Sequence, residues 1–235
     1  MPVYRLPRAP VFPPADHAEP GGVLAVGGDL SPARLLEAYR RGIFPWYSEG
    51  EPIWWHSPDP RFVLETERLH VPRTVRPVVN QGRFDIRFDT SFDAVIESCA
   101  QRKRPGQAGT WITRGMVRAY RELHRLGFAH CVEAWVDGTL VGGQYGVSLG
   151  DVWFGESMFY TEADASKATF VVLAQWLRNQ GVQLIDCQVH TEHLERFGAE
   201  EWPRERYLAR LRELVEKPTR SGRWTIEPGD PALRV

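Results

Sequence analysis

The sequence predicts an α+β fold, on three observations. Residues 129–159 read as three consecutive strands in an antiparallel meander, with Asp137-Gly138 as a strong hairpin signal. The segment ADASKATFVVLAQWLRNQG (163–181) follows as a long helix closed by Gly181. QLIDCQ (183–188) then reads as a strand that must return to the sheet. Strands and helices segregated in this way make an α+β layer arrangement. From about residue 63 the pattern becomes regular.

In chain order, residues 1–22 are rich in Pro and Gly and read as an irregular arm. A short helix over 31–41 has Ser31 as N-cap, Pro32 at its first position and Gly42 after its end. GIFPWYSEGEPIWWHSPDPRFVL sets four prolines (Pro45, Pro52, Pro58, Pro60) among Phe44, Trp46, Tyr47, Trp54 and Trp55. Proline fixes φ and forbids a long helix, so short strands with rigid turns are expected. A helix over 73–80, a strand over 83–89 and a helix over 91–101 follow. Arg102, Lys103 and Arg104 open a basic loop. Thr113 caps a helix in which Met116, Tyr120, Leu123 and Leu126 recur at helical spacing. After the meander, the long helix and the LIDCQ strand, helices are expected near 191–197 and 203–216, and a last strand over 223–227. This order is the one found in acyltransferases of the GCN5-related N-acetyltransferase-like (GNAT-like) fold.

Composition bounds the function. The chain has 235 residues and a formal net charge of −1 from 29 Lys+Arg and 30 Asp+Glu. No run of about 18 apolar residues exists, and residues 1–22 lack an apolar core of the secretory kind, so a cytoplasmic protein is expected. Cys99, Cys131 and Cys187 cannot all pair with one another and suit a reducing compartment. The near-neutral total excludes tight indiscriminate binding to bulk nucleic acid. It conceals a split: residues 61–125 carry 13 Lys+Arg against 7 Asp+Glu, and the remainder 16 against 23.

Several constellations could carry chemistry. A CoA enzyme of this fold needs a Gly-rich turn whose backbone N–H groups cradle a pyrophosphate. Here the turn reads MFYTEADASKA, with Glu162 and Asp164 and no glycine, so a CoA thioester donor is disfavoured. Strand alternation puts Asp186 and Gln188 on one face and Cys187 on the other. The pair reads either as a satisfied polar pair or as a carboxylate orienting an amide that holds an amine. Cys187, His190 and His193 lack a fourth ligand at zinc spacing, and no metal is expected. Glu156 in GESMF sits among apolar neighbours and must have a partner, either an amine ligand or a structural cation. Phe170, Leu173 and Leu177 share a helix face that suits core packing or an apolar pocket.

With GIFPWY (42–47), WWHSPDPR (54–61), GTWI (109–112), LVGGQYGVSLG (140–150), FGESMF (154–159), DASKA (164–168) and LIDCQVHTEHLERFGAEEWPR (184–204), the sequence resembles the leucyl/phenylalanyl-tRNA–protein transferases of bacteria. The resemblance runs from about residue 20 to 215. It implies a small N-terminal domain, 1–62, and a GNAT-like domain, 63–235, with a boundary near residue 62. The implied activity is transfer of Leu or Phe, and less readily Met, from aminoacyl-tRNA to the α-amine of proteins beginning with Arg or Lys. The product would carry an N-degron for ATP-dependent proteolysis. The aminoacyl ester is already activated, so no cofactor is implied. A monomer is expected.

Roles carried over by the resemblance are expectations here. Asp186 orients Gln188, which engages the attacking amine and relays its proton, and Glu156 lies beside them with Gly155, holding the aminoacyl amine or the acceptor. Trp46 and Trp111 flank the terminal adenosine. Met158, Phe170, Leu173, Leu177 and Ile185 line the aminoacyl side-chain pocket, and Tyr120 is a further site residue. Gln144, in GGQYG, departs from the apolar residue usual in the family, which touches the choice among Leu, Phe and Met. Arg73, Arg76, Arg83, Arg102, Lys103 and Arg104 are candidate tRNA phosphate contacts, sequence-independent and salt-sensitive. The alternatives are a transferase acting on another acceptor and a non-catalytic tRNA-binding module.

Overall fold

The computed structural model describes residues 3–102 and 111–235. Lys103 and Arg104, of the expected basic loop, lie outside the described residues.

The N-terminal part forms a four-stranded sheet from β1 (Tyr4–Arg5), β2 (Val23–Val26), β3 (Phe44–Pro45) and β4 (Trp54–His56), ordered β1-β2-β4-β3. Pro45 lies within β3 and Pro52 and Pro58 flank β4, and a proline offers no ladder donor, which keeps these two strands short. Helix α1 (Pro32–Arg40) lies between β2 and β3. It stops at Gly42, whose φ of +71° turns the chain back toward β3. A Cβ there would meet the Tyr207 ring at 2.7 Å, so only glycine lets the chain lie against it.

The second sheet has seven strands: β5 (Arg61–Glu65), β6 (Asp85–Phe88), β7 (Ala129–Val136), β8 (Thr139–Leu149), β9 (Val152–Tyr160), β10 (Leu184–Gln188) and β11 (Glu200–Trp202). Their order is β11-β5-β10-β9-β8-β7-β6. The meander β7-β8-β9 is antiparallel, as the hairpin signals predict. β10 runs parallel to β9, reached through α5 (Ala165–Asn179), because a parallel neighbour needs a crossover.

Helices cover both faces. α1, α3 (Phe92–Gln101), α4 (Arg114–Arg125) and α7 (Arg204–Val215) enclose one core with Val63, Tyr145, Phe154 and Leu184. On the other face α5 packs on Val132, Trp153 and Ile185, and is itself covered by α2 (Arg76–Asn80), the α6 (Glu192–Glu195) segment and the C-terminal tail. With 12 of its 15 residues buried, α5 is an interior helix rather than an amphipathic one.

One expectation is corrected. Residues 223–227 form no strand. Trp224 instead gives its backbone N–H to Asp89 Oδ2 (2.8 Å), stacks on His130 with ring centroids 3.8 Å apart and packs on Trp176. Its large ring and a buried carboxylate acceptor outcompete a ladder along the β6 edge. β11, on which no expectation was placed, pairs with β5. Three residues are too few for alternation to declare itself.

Candidate active site

Two sheet irregularities build the site. Ladder pairing between β9 and β10 stops at Phe154–Asp186, while β9 continues to Tyr160. The edge of β9 from Gly155 onward is therefore unpaired on that side, and the two strands part. At the same level the β8–β9 register shifts between Tyr145–Ser157 and Gly146–Gly155, leaving Glu156 as the extra residue of a β-bulge. A bulge re-aims a side chain, and this one turns the Glu156 carboxylate toward α1 and α4.

Glu156 is 7% exposed. Its Oε1 accepts from Tyr39 Oη of α1 (2.7 Å) and from Gln188 Nε2 (3.0 Å), and its Oε2 from Tyr120 Oη of α4 (2.8 Å). The two tyrosine hydroxyls also touch each other. No cation pairs with Glu156 among the described residues, so the structural ion pair allowed by the sequence is not formed. Burial, with Asp186 nearby, outweighs the hydrogen bonds and pushes its pKa up to about 7. Burial, then the Glu156 charge, pushes the Tyr39 and Tyr120 hydroxyls well above their usual range, so they stay protonated donors.

Asp186 is the opposite case. Its Oδ1 accepts from Arg61 Nε (2.8 Å) and from the Gln188 backbone N–H (2.9 Å). Its Oδ2 accepts from Arg61 Nη2 (2.6 Å) and Tyr207 Oη (2.7 Å). Both partners of the ion pair are buried, and the fork-to-carboxylate geometry is the strong bidentate kind. Burial works against the Arg61 charge, but Asp186 and Tyr207 override it and hold the guanidinium protonated. Arg61 also donates to the Gly42 carbonyl (3.1 Å) and lies between the Phe44 and Tyr207 rings.

The expected Asp186–Gln188 relation is thereby changed. Asp186 holds Gln188 by its main chain, at a register shift where Gln188 takes a φ of +65°. The Gln188 amide is held by Glu156 instead. Sequence reasoning missed Tyr39, Arg61 and Tyr207. An Arg opening the apolar run FVL was a signal, since a buried guanidinium needs an acidic partner; Tyr39 and Tyr207 carried none beyond helical burial.

The remaining expected residues separate by position. Phe170, Leu173, Leu177 and Ile185 lie together on the α5 side of the sheet, with Leu173 and Leu177 fully buried in the core. Met158 is half-buried at the rim of that core, and Gly155 at the strand opening is partly exposed. Gln144 is the register partner of Met158. Trp46 is 40% exposed and leans on Phe44 and His56. Trp111 is half-buried, and a bond between Tyr47 Oη and Thr113 Oγ1 (3.0 Å) ties the two Trp-bearing segments together. Arg73 and Arg76 are exposed, as is Arg83, which lies 3.7 Å from Glu162. Arg102 gives Nη1–H to the Met158 carbonyl (3.1 Å) and lies over the Tyr160 ring. Burial, with Asp186 adding, pushes the Cys187 thiol up, so it is no thiolate nucleophile. A pocket of about 520 Å³ between α2, β6 and the C-terminal tail shares no residue with this network.

The sequence profile described as "Leucyl/phenylalanyl-tRNA protein transferase" matches residues 63–212, and that described as its N-terminal domain matches residues 28–59. A leucyl/phenylalanyl-tRNA–protein transferase of Myxococcus xanthus (strain DK1622) is 58% identical over 227 residues, covering 96% of this chain and 97% of that protein. One from Anaeromyxobacter dehalogenans (strain 2CP-C) is 56% identical over 231 residues, covering 98% and 99%. Among solved structures, a functionally unknown conserved protein from Staphylococcus epidermidis ATCC 12228 aligns at a TM-score of 0.43 with 11% identity, over 77% of this chain and 68% of that one. On the profile match across most of the chain and the near-full-length identity, the chain belongs to the leucyl/phenylalanyl-tRNA–protein transferase family.

Proposed function

We propose that this aminoacyltransferase moves Leu, Phe or Met from aminoacyl-tRNA to the α-amine of proteins beginning with Arg or Lys. The product would carry an N-degron, and the enzyme would work as a cytoplasmic monomer with a GNAT-like catalytic domain behind a small N-terminal one. The observation that carries the mechanism is Glu156: a buried carboxylate held by neutral donors alone, where β9 and β10 part.

The ester bond to tRNA is already activated, so the reaction as written needs no ATP. The acceptor α-amine has a pKa of about 7.7–8. A carboxylate near 7 is matched to take its proton, since a general base works best with a pKa near the operating pH. The amine nitrogen forms a bond to the aminoacyl carbonyl carbon, and the bond from that carbon to the ribose oxygen breaks. The amine's proton passes to Glu156 and then to the departing ribose oxygen, while Tyr39 and Tyr120 remain hydrogen-bonded throughout. The Gln188 amide, fixed by Glu156 and by its strained backbone, orients the amine. Asp186 is a positioning residue: Arg61 and Tyr207 neutralise it, and it fixes the Gln188 main chain.

Trp46 and Trp111 would stack on the terminal adenosine, which needs only a π face. Met158, Phe170, Leu173, Leu177 and Ile185 would receive the aminoacyl side chain. Arg73, Arg76, Arg83 and Arg102, with Lys103 and Arg104, would meet tRNA phosphates.

The test is direct. The protein is mixed with Phe-tRNA and a peptide beginning with Arg, and the peptide is weighed by mass spectrometry. A mass gain of one Phe residue is expected, and none with a peptide whose α-amine is acetylated. An unchanged Arg-peptide, beside an active control transferase, overturns the reading.

A further inference from the structure

Gln144 is 4% exposed, and its Nε2 has no hydrogen-bond partner. Buried polar groups are nearly always paired, and an orphan amide donor calls for an explanation. Its direction follows from the sheet. Gln144 lies directly opposite Val132 on β7 and Met158 on β9. Directly opposed residues project to the same face. Val132 belongs to the α5-side core, and Met158 packs against it. The Gln144 amide therefore projects to the α5 face, beside Met158 and one strand in from the unpaired edge of β9, on the face that carries Phe170 and Ile185. No other residue expected to line the side-chain pocket carries an N–H donor in its side chain.

We infer that Gln144 is the specificity-determining residue of the aminoacyl pocket, its amide N–H selecting side chains that accept a weak hydrogen bond. The inference rests on the transferase reading above. Phe offers the face of its ring and Met its thioether sulfur, both weak acceptors. Leu offers neither, and its methyl groups would seal the donor away from water with nothing to bind, which is the costly arrangement for a buried polar group. The order of preference is then Phe and Met ahead of Leu, set at the bound side chain rather than at the reacting ester.

The test is a competition. Equimolar Leu-, Phe- and Met-tRNA are offered together with a peptide beginning with Arg, and the three products are counted by mass. For the natural chain, Phe and Met products should each exceed Leu by about fivefold. Gln144→Leu, which removes the donor at similar volume, should bring the three within about twofold, as should Gln144→Met. Thermal melting of both variants should be unchanged or higher, because an orphan donor has gone from the interior. The same Phe-to-Leu ratio in the natural chain and in both folded variants overturns the inference while leaving the transferase reading intact. A melting point lowered in both variants with that ratio unchanged overturns it too, by showing a purely structural amide. No transfer of any of the three by the natural chain removes the transferase reading and this inference with it.

Discussion

Two carboxylates within one network, Glu156 and Asp186, are set to different tasks by their neighbours. Asp186 faces a guanidinium and is held in a bidentate ion pair; Glu156 faces phenols and an amide, and burial raises its pKa. The Glu156 pKa is raised from its unfolded value of 4.5 to about 7. The folded state then holds a proton that the unfolded state has released, so stability is fully present below 4.5 and is lost as pH rises to 7. Glu156→Gln should remove that slope and leave the variant more stable than the natural chain at pH 8, by about 3 kcal/mol at most. Urea unfolding at several pH values measures it. The same variant should lose the rise of kcat/KM through about pH 7; a profile identical to the natural one would exclude Glu156 as the proton acceptor. For Asp186→Leu alone, Arg61 is left buried without its partner, and a loss of about 3–5 kcal/mol is expected. Adding Arg61→Leu should recover part of it, since removing both charges spares the desolvation that one alone must bear. Strictly additive losses would mean the pair is not coupled.

Elements meet at the bulge. β8 can approach β9 there only because position 146 is glycine: a Cβ would stand 2.3 Å from the Phe154 carbonyl and 2.6 Å from the Trp153 ring. Neither neighbour can yield, one being backbone and the other a buried ring. Gly146→Ala should therefore cost about 3 kcal/mol and displace Glu156, lowering kcat more than it weakens tRNA binding. Thermal melting and a kcat-against-KM comparison check this, and a variant as stable as the natural chain would show that the strands can separate without penalty. α1 and α4 each supply one tyrosine to the carboxylate, and β5 and α7 supply Arg61 and Tyr207 to its neighbour. The site is thus a junction of elements from both ends of the chain.

For the molecule as a whole, charge distribution matters more than its total. The net charge is −1, and no helix among the described residues is long and apolar enough to cross a membrane. Within 61–125, where Lys+Arg exceed Asp+Glu, Arg73, Arg76 and Arg83 are exposed. Replacing those three by Ala should weaken tRNA binding and reduce the slope of log K against log salt by about 0.7–0.9 for each phosphate no longer neutralised. A binding titration at several salt concentrations reads the slope, and an unchanged value would place the tRNA elsewhere.

Local physics made much of this protein readable from its sequence. The meander, α5 and β10 announce themselves because alternation, helical spacing and turn glycines act over a few residues. Glu156 and Gln188 stood out within specific motifs. Tertiary structure alone decided which groups share protons and charge. Tyr39 lies 117 residues from Glu156 and Arg61 125 from Asp186, and no local pattern encodes a meeting at such separation. The bulge, the parting of β9 from β10 and the fate of the tail at Trp224 are likewise outcomes of packing, where fit to distant neighbours overrides the strand pattern each segment carries by itself.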